Sequence, residues 1–198
     1  MYSEILTSNN YGYSALKNSS LLEEYIEHIG YGNKDALTNF YEITKTSIYA
    51  FALSILRNQH DAEDVLQEVF IKIYESATTY QKSGKPLAWV LTITKNLSLM
   101  KLRKQKNNKD IDEFKDIIPS NKNKHDAETR LLLSAAFKHI SDEERNILIL
   151  HAVSGFKYHE IAKLLELPLS TVLSKYHRAI KKIKNIMSEE NKNAKKRN

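Results

Sequence analysis

Apolar residues recur along this chain at spacings of three and four, and the recurrences fall into separate runs. Leu37, Phe40, Tyr41, Thr44, Ile48, Phe51, Ala52 and Ile55 make one run. Ala62, Val65, Leu66, Val69, Phe70, Ile73 and Ala77 make a second, and Leu87, Val90, Leu91, Ile93, Thr94 and Leu97 a third. Each set falls on one side of a 3.6-residue helix, so three amphipathic helices are predicted in the first half. Asp61 is placed to cap the second, and Pro86 suits the first turn of the third. Further on, Ser141 and Glu144 have capping-box spacing ahead of Ile147-Leu148-Ile149-Leu150. No alternating strand pattern and no internal repeat appear.

Eight Gly and Pro residues punctuate 198 positions, at 12, 30, 32, 84, 86, 119, 155 and 168. That scarcity argues against an all-β fold built on tight turns. Residues 107–126 hold few apolar anchors and one Pro, and read as a flexible linker. The expected architecture is all-α, with two small helical domains at 20–106 and 127–188. Residues 1–19 and 189–198 read as loose tails.

The second domain carries a finer pattern. Residues 156–184 read FKYHEIAKLLELPLSTVLSKYHRAIKKIK. A short helix over Tyr158–Leu165 holds the small Ala162 in its middle. A tight turn, Glu166-Leu167-Pro168, leads to a longer helix beginning at Leu169 or Ser170. This is a helix-turn-helix layout, with Leu167 and Val172 filling the space between the helices. At 100° per residue, Val172, Tyr176, Ala179 and Ile183 share one side of the longer helix. Ser170, Ser174, His177, Arg178 and Lys181 lie opposite, flanked by Thr171 and Lys175. An apolar stripe facing a stripe of small hydroxyls and cations is what a major-groove helix needs. The competing reading is an ordinary amphipathic hairpin.

Charge strengthens the nucleic-acid reading. The net charge is +6, but its distribution says more than its size. From Pro86 to Lys109 stand Lys95, Lys101, Arg103, Lys104, Lys106 and Lys109 with no acid. From Leu169 to Ser188 stand Lys175, Arg178, Lys181, Lys182 and Lys184, again with no acid. Between Asp61 and Glu75 the balance reverses, to five acids and one Lys. Solvated helix faces explain any one block; two acid-free basic helices in one chain argue for an anionic partner. The acidic helix has no His at i+4 and no second acidic motif, so metal and acid–base roles fail and a protein-docking face fits better. The Lys-Ser-Gly-Lys loop and the helix after it, which carries Trp89, suit single-stranded or opened nucleic acid. Trp89 can equally be a core residue.

With no Cys, disulfides, thiol catalysis and Cys-ligated zinc are excluded. No stretch approaches the roughly 20 apolar residues of a membrane span, and the N-terminus lacks the basic start and apolar core of a signal peptide. The expected compartment is the cytoplasm. No metal and no cofactor is expected. A helical enzyme would lack both a Gly-rich phosphate loop and metal-ligand spacing.

The order of motifs is itself informative. DAEDVLQEVF, then PLAWVLTITKNLSLMKLRK, then a linker, then ISDEERNILILHAVSGFKYHEIAKLLELPLSTVLSKYHRAIKKI resembles the bacterial extracytoplasmic-function sigma factors over residues 20–187. The resemblance implies a promoter-melting domain at 20–106 and an upstream-element domain at 127–188. It implies a chain that binds core RNA polymerase and promoter DNA, performs no catalysis, is a monomer outside the holoenzyme, and commonly has an anti-sigma partner. Asp61, Asp64, Gln67 and Glu68 would contact polymerase. Lys82, Ser83, Lys85, Asn96, Lys101 and Lys104 would meet the minus-ten element. Ser170, Thr171, Ser174, Lys175, His177, Arg178 and Lys181 would meet the minus-thirty-five element. Three positions depart from the family pattern: Leu173 replaces a frequent cation, His151 a frequent Arg, and Glu166 the usual turn Gly. A stand-alone helix-turn-helix regulator is the alternative, and it gives residues 61–106 no role.

Overall fold

The computed structural model describes residues 18–107 and 139–196, all helix, turn or loop. Among these residues seven α-helices follow in order: α1 Ser19–Gly30, α2 Lys34–Leu56, α3 Gln59–Ser76, α4 Pro86–Asn107, α5 Asp142–Ala152, α6 Tyr158–Leu165 and α7 Leu169–Lys196. The fold class is the expected one, all-α with a helix-turn-helix in the second half. The linker reading of 107–126 falls, but for Asn107, outside the described residues.

Local chemistry sets the helix ends. Asn18, Asn33 and Asn58 cap α1, α2 and α3, each side-chain oxygen accepting a backbone N–H three residues on. Asp61 is therefore not the cap of α3. Asn58 takes that place, its Oδ1 accepting the Asp61 N–H at 3.0 Å, and the cap falls three residues earlier than expected. Asp61 stands in the first turn, where its charge still complements the helix dipole. Pro86 opens α4, a position where its missing N–H costs nothing. The capping box at Ser141 and Glu144 forms in both directions. The supposed loose C-terminal tail is helical to Lys196. No Gly or Pro follows Pro168, so nothing in the chain stops the helix.

α2 is the central element, packed against α1, α3, α4 and α5. Phe40, Ile48 and Phe51 on α2, Val65, Val69 and Ile73 on α3, and Val90 and Leu91 on α4 are fully buried. Leu22, Ile26 and Ile29 of α1 close this core at spacings of four and three. Each such side chain contributes about 1.5–3 kcal/mol on burial.

The second half joins the same core. Ile147 and Leu150 of α5, Ile161 and Leu164 of α6 and Val172 of α7 are continuous with the first-half cluster. Polar contacts cross the junction too. The Ser54 hydroxyl lies 2.8 Å from Asn146 Oδ1. Arg57, which ends α2 in a left-handed conformation (φ 59°), pairs with Asp142. Lys95 of α4 donates to the Leu164 carbonyl at 2.9 Å and to Glu166 at 2.7 Å.

Candidate nucleic-acid and partner-docking surfaces

The helix-turn-helix forms as the phase argument requires. α6 spans the expected eight residues, and Glu166 follows in a left-handed conformation (φ 58°). Glycine adopts this conformation without strain; Glu166 holds it through N–H bonds to the helix end and the Lys95 pair. The Leu167 N–H closes on the Ala162 carbonyl at 2.9 Å. Val172 and Ala179 are buried, Tyr176 and Ile183 half-buried. Ser170, Ser174, His177, Arg178 and Lys181 are exposed together on the other side, with Thr171 and Lys175 half-buried at its edges.

Two cations of α7 turn inward to α5. Lys175 pairs with Glu143 at 2.5 Å and Lys182 with Glu144 at 2.8 Å. Burial raises the Glu144 pKa, but Lys182 and the Ser141 N–H outweigh it, and the carboxyl sits below its ordinary value. These pairs brace the recognition helix against α5. His151 is structural here. Its Nδ1 lies 2.9 Å from the Phe156 carbonyl, and its ring stacks on Tyr158 at 4.6 Å and meets Tyr176 edge-on.

In the first half, α3 presents Asp64 and Gln67 to solvent, with Glu68 half-buried. Ile71 and Tyr74 extend that face and are 58% and 55% exposed. Sequence reading passed over both. The available signal was two large apolar residues outside the buried stripe of α3. Exposed large apolar groups rimmed by polar ones mark docking surfaces.

The minus-ten candidates divide. Lys101 is held between Asp61 at 3.0 Å and Asp64 at 2.7 Å. Burial lowers its pKa, but the two carboxylates outweigh that and raise it. The Lys101 hydrogen bond in turn lowers the Asp64 pKa. Two of the expected polymerase contacts and an expected DNA contact thus form one ion cluster. Lys82 pairs with Glu27 of α1 at 2.6 Å. Glu23 Oε1, one turn earlier, accepts the Gly84 N–H at 2.8 Å and the Tyr80 hydroxyl at 3.2 Å. The Lys-Ser-Gly-Lys loop is therefore pinned on α1. Ser83, Lys85, Asn96 and Lys104 remain exposed. Trp89 is half-buried and packs on Tyr80 with ring centroids 4.8 Å apart.

A two-part helical protein with a basic recognition helix in one half and a pinned basic loop and helix in the other belongs to the sequence-reading DNA-binding class. Comparison with known proteins narrows this. Residues 40–108 match the family model for Sigma-70 region 2, and residues 130–183 that for Sigma-70, region 4. The chain is similar to the ECF RNA polymerase sigma factor SigW of Bacillus subtilis, 26% identical over 172 residues that cover 80% of this chain and 92% of that one. It is also similar to SigE of Mycolicibacterium smegmatis, 29% identical over 168 residues that cover 80% of this chain and 65% of that one. Two solved structures share the fold. CnrH, in complex with the cytosolic domain of CnrY, has a TM-score of 0.62 at 16% identity, over 85% of this chain and 98% of that one. RpoE of Bartonella quintana, in complex with the anti-sigma factor NepR, has a TM-score of 0.65 at 23% identity, over 79% and 98%. The chain belongs to the extracytoplasmic-function sigma factors, and directs transcription initiation by binding core RNA polymerase. Among the described residues no helix is long and apolar enough to cross a membrane.

Proposed function

We propose the following division of labour. The outer face of α3 docks on core polymerase through Gln67 and Glu68, with Ile71 and Tyr74 as apolar anchors. The clamped pair Asp61 and Asp64 shapes that face through Lys101. The pinned loop 80–85, with Asn96 and Lys104 on α4, engages the opened minus-ten element, where exposed cations and small polar groups suit single strands. The outer face of α7 reads the minus-thirty-five element, with Arg178 as the forked donor. The polymerase performs the chemistry, and this chain acts in the cytoplasm as its specificity subunit. An anti-sigma factor is a fitting partner, since RpoE is held by one in its solved structure and CnrH is held by the cytosolic domain of CnrY.

The observation that carries this reading is the sorting of the surfaces: an acidic and apolar face on α3, and cationic faces on α4 and α7. Promoter binding also demands a change of shape. The two elements are named some 25 base pairs apart, roughly 85 Å at 3.4 Å per step. Here the turn of the helix-turn-helix touches α4 through Lys95 and Glu166. The halves must part for both elements to be read together.

In vitro transcription with purified core polymerase on genomic DNA tests the assignment. Specific initiation from a subset of promoters is expected, along with co-elution with core. A protein that binds duplex DNA but neither co-elutes nor initiates would be a stand-alone regulator.

A further inference from the structure

Where the two halves meet they form a half-open cavity of about 520 Å³. Its walls come from both: Lys85 and Leu87 on one side, Ser154, Phe156, Lys157 and Lys163 on the other. We propose that this cavity binds an organic phosphate of nucleotide class, held by both halves at once.

Four features of the walls point to that chemistry. The first is charge. Lys85, Lys157 and Lys163 face one acid, Glu160, whose Oε2 is already engaged by the Lys157 N–H at 2.8 Å. The site therefore favours an occupant with more than one negative charge. The second is the start of α4 in the wall. α4 has no acid in its first turn, and the Leu87 and Ala88 N–H groups lie where a helix has no acceptor of its own. The third is Ser154. It is 3% exposed and its hydroxyl has no hydrogen-bond partner. A buried hydroxyl in that state is rare; its oxygen has no surface open to the cavity as the halves are packed, so a ligand oxygen would meet it only if this wall shifted. The fourth is the apolar surface of Leu87, Phe156 and Leu164, which suits a planar ring. The volume falls within the roughly 300–1,000 Å³ of small-molecule sites.

Because the walls belong to different halves, the site exists only while the halves are packed together. An occupant would stabilise the closed arrangement over the parted one by its differential affinity. The site rests on geometry alone, so its failure leaves the transcription reading untouched.

The full-length protein would be titrated with a fluorescent GTP analogue, with unlabelled GTP, ATP, pyrophosphate and guanosine as competitors. Saturable binding is expected, with either triphosphate competing better than pyrophosphate or guanosine. Lys157→Ala with Lys163→Ala should weaken binding at least about tenfold, because two charge-assisted contacts are lost. These side chains are exposed, so circular dichroism should be unchanged. Lys85→Ala, from the opposite wall, should weaken binding as well. Binding that never saturates, or that survives the variants of either wall, would overturn the site. Pyrophosphate competing as well as GTP would overturn the nucleotide class.

Discussion

The two acid-free basic stretches look alike in sequence and behave differently in three dimensions. In the first half, Lys82, Lys95 and Lys101 are each drawn into ion pairs with acids from other helices or turns. In α7 the inward cations Lys175 and Lys182 take the acids of α5, leaving Arg178 and Lys181 exposed beside Ser174 and His177. A run without acids is therefore not a run of free cations. What matters is which acids the fold brings across. α7 keeps a clean reading face because its partners meet it from behind.

Four experiments press on that contrast. The largest effect is expected on α7. Arg178→Ala should cost up to about 3 kcal/mol of discrimination at the minus-thirty-five element. The measurement is transcription across single-base upstream variants, and a uniform loss on all of them would make Arg178 a phosphate clamp. Next comes the docking face. Tyr74→Ala should weaken core association by about 2 kcal/mol, in the manner of an aromatic anchor, without shifting Tm. Undiminished pull-down of core would remove Tyr74 from the interface.

The third experiment separates two lysines that the sequence treats as equals. Lys101→Ala should lower Tm by a few degrees, because Asp61 and Asp64 lose the cation between them. Lys104→Ala should leave Tm alone and weaken permanganate reactivity of the opened minus-ten region. If both variants lower melting alike with Tm intact, the clamp has no structural role.

The smallest effect is a matter of pH. The Glu144 carboxyl is held below its ordinary value of 4.5, so it adds stability above that pH. That contribution is lost as pH falls through the lowered value. Glu144→Gln should lower stability most near neutrality, where the contribution is present in full, and should converge with the parent protein on the acid side, so its stability falls less steeply with pH. Chemical denaturation between pH 3 and pH 7 reads this directly, and identical slopes for both proteins would dismiss the pair with Lys182.

Much of the molecule was legible in advance because it is decided locally. The stripes of α2, α3 and α4, the box at Ser141 and Glu144, the eight-residue α6 and the phase of α7 depend on residues within a turn or two of each other. The start of α1 was legible too, in Asn18, Leu22, Ile26 and Ile29, but went unread beside the longer stripes. Asn58 and Asp61 are residues of similar capping strength, so residue type alone does not place the α3 cap.

What the sequence by itself determined is thus the helices, their buried sides, the helix-turn-helix and the sorting of charge into blocks. Only the tertiary structure decided which charges remain available. Glu27 lies 55 positions from Lys82, Asp64 37 from Lys101 and Glu166 71 from Lys95. No periodicity encodes such pairs, because a lysine takes whichever carboxylate the packed core delivers within about 4 Å. The core itself, running from α1 through α2 to α7, is what delivers them. The same packing created the cavity between the halves, whose walls come from segments some 70 residues apart and exist as a site only once the helices have closed on each other.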